Sequence, residues 1–205
     1  MSTRGAVLLF ALATGAVGCG TSATPAVRDG DIIFQTSRSS QSVAIQEATR
    51  SPYSHMGIVL YRGGRPYVFE AVATVRYTPL QQWIRRGASG HFVVKRLKKA
   101  RSLLTPQALT ALRRAARSME SRRYDLAFEW SDDRLYCSEL VWKLYERALG
   151  IRIGELQRLK DFDLSSPEVR SKMRERYGKH LPLEEPVIAP AAMFASPLLV
   201  TVAQR

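Results

Sequence analysis

The sequence is poor in the residues that bind metals and bridge chains: its 205 positions include two cysteines and three histidines. There is no His-Glu-x-x-His run and no close Cys or His pair, so no zinc-type ligand set is legible. The Gly-rich turns lack the spacing and the following Lys-Ser/Thr of a phosphate-binding loop. Neither a metal nor a cofactor is therefore expected. Long hydrophobic runs are missing too. The apolar stretch Ala6 to Ala13 is too short, and too soon broken by glycine, to cross a bilayer of about 30 Å as a permanent helix. No repeat or low-complexity tract appears, and acidic residues are scarce, with 18 Asp and Glu against 31 Lys and Arg and a formal net charge of +13. Such a balance favours anionic partners. Nucleic acid is not expected among them, because no aromatic-interleaved basic motif or known binding module is present.

The front of the chain has the layout of an export signal. Arg4 supplies a positive start, Ala6 to Ala13 an apolar segment, and Gly15, Ala16, Gly18 and Ala23 a run of small residues. Ala16-Val17-Gly18-Cys19 resembles a bacterial lipobox, with Cys19 as the lipidated residue, while Thr21-Ser22-Ala23 fits ordinary signal cleavage. The expectation is a signal over residues 1–18, a linker over 19–27, a single domain over 28–205, and a location in the periplasm or on a membrane anchor. On either reading of the leader, Cys137 has no disulfide partner in the mature chain.

Patterning then gives the fold class. Ile32-Ile33-Phe34, Met56 to Tyr61, Tyr67 to Val72, Val75 to Tyr77 and Phe92 to Leu97 read as strands, the second and third joined by a Gly-Gly hairpin turn. Helical spacing appears within Ser37 to Thr49 and around Leu80 to Arg85. It recurs from Thr105-Pro106 through Met119, from Cys137 to Leu149 with Gly150 as C-cap, and from Ser166-Pro167 to about Tyr177. Strands first and helices second predict an α+β domain with an antiparallel sheet of about five strands. Prolines 182, 186, 190 and 197 predict a tail that is mostly extended or turning.

Cys137 opens a predicted helix, where free backbone N–H groups and the positive dipole end favour a thiolate and can hold an oxyanion. His55 breaks into the mouth of an apolar strand, whereas His91 and His180 lie in loops, so His55 is the candidate base. Glu70 is an acid inside an apolar strand and the candidate third group. Period-two alternation places Val68, Glu70 and Val72 on one face and Tyr67, Phe69 and Ala71 on the other, so Glu70 either joins His55 or points to solvent. Tyr53, Tyr124 and Tyr136 flank these residues, as candidates to line a cleft or as packing aromatics. The run Lys95 to Arg101 and the arginines from Arg113 to Arg123 form either a surface for an anionic membrane or polymer or a solvated face.

Gly30-Asp31-Ile32-Ile33-Phe34, Ser51-Pro52-Tyr53-Ser54-His55-Met56-Gly57-Ile58, Phe69-Glu70-Ala71 and Tyr136-Cys137-Ser138-Glu139-Leu140-Val141 together resemble the YiiX/YebB-like hydrolases. These are circularly permuted papain-like enzymes of the NlpC superfamily, and the resemblance runs from about Gly30 to Leu199. The His, Glu, Cys order matches the permutation. The resemblance implies a nucleophile at Cys137, a base at His55 and an orienting residue at Glu70, working through a thioester. It implies a substrate that is either a cell-wall peptide amide or, as in lecithin:retinol acyltransferase-like relatives, a lipid acyl bond. A non-catalytic lipid- or peptide-binding protein of the same fold is the alternative.

Overall fold

The computed structural model describes residues 26–205. The leader, Cys19 and most of the linker expected from the sequence lie outside the described residues.

A six-stranded antiparallel sheet forms the frame. Its strands are β1 (Ile32–Gln35), β2 (His55–Arg62), β3 (Arg65–Ala71), β4 (Val75–Pro79), β5 (Val93–Leu97) and β6 (Leu199–Gln204), in the order β6-β5-β1-β2-β3-β4. The sixth strand comes from the tail. It pairs with β5 through Leu199↔Leu97 and Val200↔Arg96, with a register shift between Thr201 and Ala203. Its partner lies about a hundred positions earlier, so local patterning carries no signal of the pairing. The tail also holds a short helix, α6 (Pro190–Phe194), with proline at its first turn.

Helices cover the two faces unequally. On one side α4 (Cys137–Leu149) packs on β2, β3 and α3 (Pro106–Met119). The core there is built from Ile32, Phe34, Met56, Ile58, Phe69, Leu112, Leu140, Val141 and Leu144. The helices α1 (Ser42–Thr49) and α5 (Pro167–Tyr177) pack on each other beside it. On the other side α2 (Leu80–Arg86) lays Leu80, Trp83 and Ile84 over Ile33, Val59, Val68 and Val94, forming a second, smaller core. The sheet is therefore sealed on both faces around β1, β2 and β3, whose residues are almost all buried between Ile32 and Leu60 and from Val68 to Ala71 along these strands.

Several motif residues serve this frame. Asp31 accepts two hydrogen bonds from Arg96, at 2.6 and 2.7 Å, clamping β1 to β5, and Lys95 donates to the Phe194 carbonyl. These two members of the basic run thus point into the structure. Ser54 Oγ lies 2.6 Å from Ser42 Oγ and accepts from the Ser37 amide at 2.8 Å, which ties the loop before β2 to the start of α1.

Gly57 is needed for close approach of two strands. A Cβ at this position would meet Val68 Cγ1 at 2.4 Å and the Phe69 carbonyl oxygen at 2.8 Å. Gly57→Ala is therefore expected to push β2 from β3 and to cost about 1–3 kcal/mol, the usual range for overpacking. Urea unfolding measures the loss, and an unchanged midpoint would mean that the strands yield freely.

Candidate active site

Cys137 is the first residue of α4, preceded by the extended Tyr136. Two contacts fix this turn: Glu139 accepts a hydrogen bond from the Tyr136 amide at 3.3 Å, and Ser138 Oγ donates to the Ile188 carbonyl at 2.7 Å. The Ile188 amide in turn donates to the Tyr136 hydroxyl at 3.0 Å. The segment around Ile188 thus straps the helix start from outside. Glu139 is wholly buried beside Lys143, with Oε1 and Nζ 2.6 Å apart. Burial pushes its carboxyl up to about 7 against the pull of that lysine.

His55 is the first residue of β2, is buried, and lies close enough to Cys137 for the sulfur to raise the proton affinity of its ring. Its Nε2 donates to Glu70 Oε2 at 2.6 Å, leaving Nδ1 as the ring nitrogen that can face the sulfur. The structure thus brings Cys137, His55 and Glu70 into one chain of contacts. His91 and His180 are exposed and stand apart from it.

Glu70 is fully buried. Alternation sends its side chain to the face opposite Phe69, as read from the sequence, but that face is not solvent: α2 covers it. Four donors converge on the carboxylate. Oε2 accepts from His55, from Trp83 Nε1 at 2.9 Å and from the Arg86 guanidinium, and Oε1 accepts from Thr78 Oγ1 at 2.6 Å. Trp83 also stacks on the imidazole, with ring centroids 5.9 Å apart and planes 26° from parallel. Thr78, Trp83 and Arg86 are members of the site that sequence reasoning missed. No local signal distinguishes them from ordinary strand and helix residues.

The electrostatics follow from this packing. Burial opposes the charge on His55, but hydrogen bonds to Cys137 and Glu70 and their negative charge outweigh it, and the imidazolium is held up to about 9 from an ordinary 6.5. Burial likewise opposes the charge on Glu70, yet the bonds and charges of His55, Arg86 and Thr78 bring it down to about 2. Near neutral pH the site therefore holds an imidazolium against the Glu70 carboxylate, with the Cys137 sulfur on the other side of the ring.

A narrow crevice opens at Cys137 and encloses about 660 Å³ of empty space, its open mouth included. Ile45 and Ala48 of α1, Val169 and Met173 of α5, and Phe162 and Ile188 supply much of its wall. Tyr124 and Tyr136 line it, whereas Tyr53 instead stacks on Phe194 with ring centroids 4.2 Å apart. Burial raises the Tyr124 hydroxyl, keeping it protonated. That hydroxyl accepts from Gln41 Nε2 at 2.9 Å, so its own proton remains to be donated.

Comparison with known proteins agrees with this architecture. Residues 26–203 match the family described as permuted papain-like amidase enzymes of the YaeF/YiiX, C92 family. The uncharacterized protein YiiX of Escherichia coli strain K12 is 55% identical over 176 residues, covering 86% of each chain. A crystal structure described as that of metalloprotein yiiX from Escherichia coli O157:H7 superposes with a TM-score of 0.83 at 54% identity, covering 87% of this chain and 97% of the other. With the Cys, His and Glu of its motifs meeting at one helix start beside a sealed antiparallel sheet, the chain belongs to the permuted papain-like amidase family of YaeF and YiiX.

Proposed function

We propose that the protein is a cysteine acyl hydrolase that opens an amide or ester through a thioester on Cys137. The observation that carries this reading is that Cys137, which lines the crevice, lies beside the His55 ring whose Nε2 is bonded to the buried Glu70. The Cys137 sulfur attacks the carbonyl carbon while His55 holds the thiol's proton, and electrons move onto the carbonyl oxygen. The N-terminal amides of α4 and the Tyr124 hydroxyl are the donors available to that oxyanion. As the C–N or C–O bond breaks, His55 passes its proton to the leaving group. It then takes one from water, whose oxygen attacks the thioester carbon; the C–S bond breaks, the sulfur leaves with the electron pair, and the acid departs with the Cys137–His55 pair restored. Glu70 keeps the imidazole oriented and stabilises its charge throughout.

The related E. coli structure is described as that of a metalloprotein. In this chain no group of three or more His, Cys, Asp or Glu suited to a metal ion exists among the described residues. The carboxylate of Glu70 is already taken by four donors. This donor set does not fit a metal centre, and no step is routed through one.

The leader over residues 1–18 supports a setting in the cell envelope, where cell-wall peptide amides and lipid acyl bonds are both at hand. One feature favours the lipid. Peptide recognition needs several unsatisfied polar groups, yet apart from the tyrosine hydroxyl protons most polar side chains of the crevice wall are spent on neighbours. Gln41 is held by Tyr124 and Arg176, Thr49 donates to Ile45, Ser138 donates to Ile188, and Lys172 pairs with Glu175. What the wall presents is hydrocarbon, which suits an acyl chain at about 0.8 kcal/mol per buried methylene. The test is intact-mass trapping of the acyl-enzyme from p-nitrophenyl acetate, octanoate and laurate, beside a cell-wall dipeptide amide. A Cys137 adduct that forms at least about tenfold faster with laurate than with acetate supports the lipid reading. Equal rates along the series, with the dipeptide cleaved, would return the peptide. The absence of any adduct or cleavage would remove the hydrolase.

A further inference from the structure

Glu70 carries a contact that a Cys-His-acid chain does not require. The guanidinium of Arg86, on α2, shares Oε2 with His55 and Trp83. Its side chain is 36% exposed, while Glu70 is at 0%, so it links the buried acid to the surface. We infer that Arg86 is a positioning residue of this site, which sets the proton affinity of His55 by competing with it for one oxygen of Glu70.

The competition follows from charge and valence. A carboxylate oxygen has two lone pairs, and three N–H donors are directed at this one. Two of them belong to cations, and the guanidinium never gives up its proton. Arg86 therefore holds Glu70 ionised and in place, and at the same time weakens the hold of Glu70 on the imidazolium. The other groups around the imidazole lack this double action. On α4 there is the Cys137 thiol, with Tyr124 beyond it. On β1 the residue directly opposite His55 is the neutral Gln35. On β4, Thr78 is neutral, and Arg76, paired opposite Glu70, is exposed. On α2, Trp83 donates to the same oxygen without charge.

Two roles for Arg86 predict opposite signs. Were it only a prop that seats α2 or Glu70, its removal would slacken the His55–Glu70 bond, and the imidazole would titrate lower, toward 6.5. If it competes for Oε2, its removal leaves Glu70 more fully to His55 and lifts a like charge from the imidazolium, and the imidazole titrates higher. The expected rise is about one pH unit, the order for two unit charges a few ångströms apart under the screening of bulk water, which reaches the partly exposed guanidinium.

The inference rests on the reading of His55 and Glu70 as parts of the reacting group, but its test needs no substrate. The chain has three histidines, so the ring Cε1–H resonance of His55 is assigned by its loss in His55→Gln. It is then titrated by NMR in the native protein, in Arg86→Gln, in Arg86→Met, which keeps the packing of the stem, and in Arg86→Lys, which keeps the charge. The expected result is a midpoint raised by about one unit in both neutral variants, with Arg86→Lys close to native. Either neutral variant suffices if the other does not fold. A midpoint that stays or falls in the neutral variants, or that rises equally in Arg86→Lys, overturns the inference. Alkylation of Cys137 by iodoacetamide across the same pH range, run in parallel, tests the proposed hydrolase separately. An inert thiol would end that reading while leaving the titration to decide the role of Arg86.

Discussion

Cys137→Ala is expected to reduce hydrolysis to background and abolish acyl-adduct formation, and His55→Ala to lower kcat/KM by about a thousandfold or more, with the double variant no worse than Cys137→Ala alone. Groups that act as a unit lose their combined effect when any member goes, so their costs do not add. The geometry makes these two such a unit. Cys137 lies beside a ring whose Nε2 is fixed 2.6 Å from Glu70, so attack and proton transfer share one constellation. Without His55 the leaving group has no proton donor in contact with the thiol, and its departure becomes the barrier. Kinetics on an activated acyl ester, with intact-mass detection of the adduct, measure all three variants. Costs that simply multiply in the double variant would show that the two residues act separately, and an active Cys137→Ala would place the nucleophile elsewhere.

The meeting of these residues was legible in the sequence because each broke a local pattern. A lone cysteine opened an amphipathic helix, a histidine stood at the mouth of an apolar strand, and an acid interrupted another. The direction of Glu70 was not legible. Alternation assigns a side chain to a face, but what covers that face depends on a distant element, here the short helix bearing Leu80, Trp83 and Ile84. For the same reason Thr78, Trp83 and Arg86 escaped notice: each is ordinary for its own element, and only the antiparallel register of β3 with β4 and the docking of α2 bring them to one carboxylate. The strand Leu199–Gln204 was hidden likewise, since prolines before it suggest a loose tail and the β5 edge that receives it is remote in sequence.

The family motifs also divide in a way that sequence alone does not show. Asp31 is conspicuous as an acid beside an apolar strand, as Glu70 is, and both are fully buried against an arginine. Asp31 spends both oxygens on Arg96 and one also on the Arg28 amide, clamping the frame. Glu70 gives one oxygen to Thr78 and directs the other at the imidazole. What separates the two acids here is the titratable partner on the far side of the Glu70 carboxylate. Gly57 belongs to the same account, since close packing of β2 on β3 is what holds His55 and Glu70 within reach.

Glu70→Gln should therefore damage both stability and chemistry. Removing one partner of a buried ion pair costs about 3–5 kcal/mol, because the charges left behind are unpaired. Here an amide replaces the carboxylate between the imidazolium and the guanidinium. The pH dependence has a definite sign. Glu70 titrates at about 2 in the fold against 4.5 ordinarily, so its contribution is present above 4.5 and lost as pH falls through 2. His55 titrates at about 9 against 6.5, so its contribution is full below 6.5 and lost as pH rises through 9. The substitution removes the acid-side decline due to residue 70 and brings the alkaline decline due to His55 to lower pH. Urea unfolding of native and variant proteins between pH 2 and 10 tests both limbs. A variant whose stability curve ran parallel to the native one would mean that Glu70 contributes packing alone, and that the carboxylate neither holds the imidazolium nor serves the reaction.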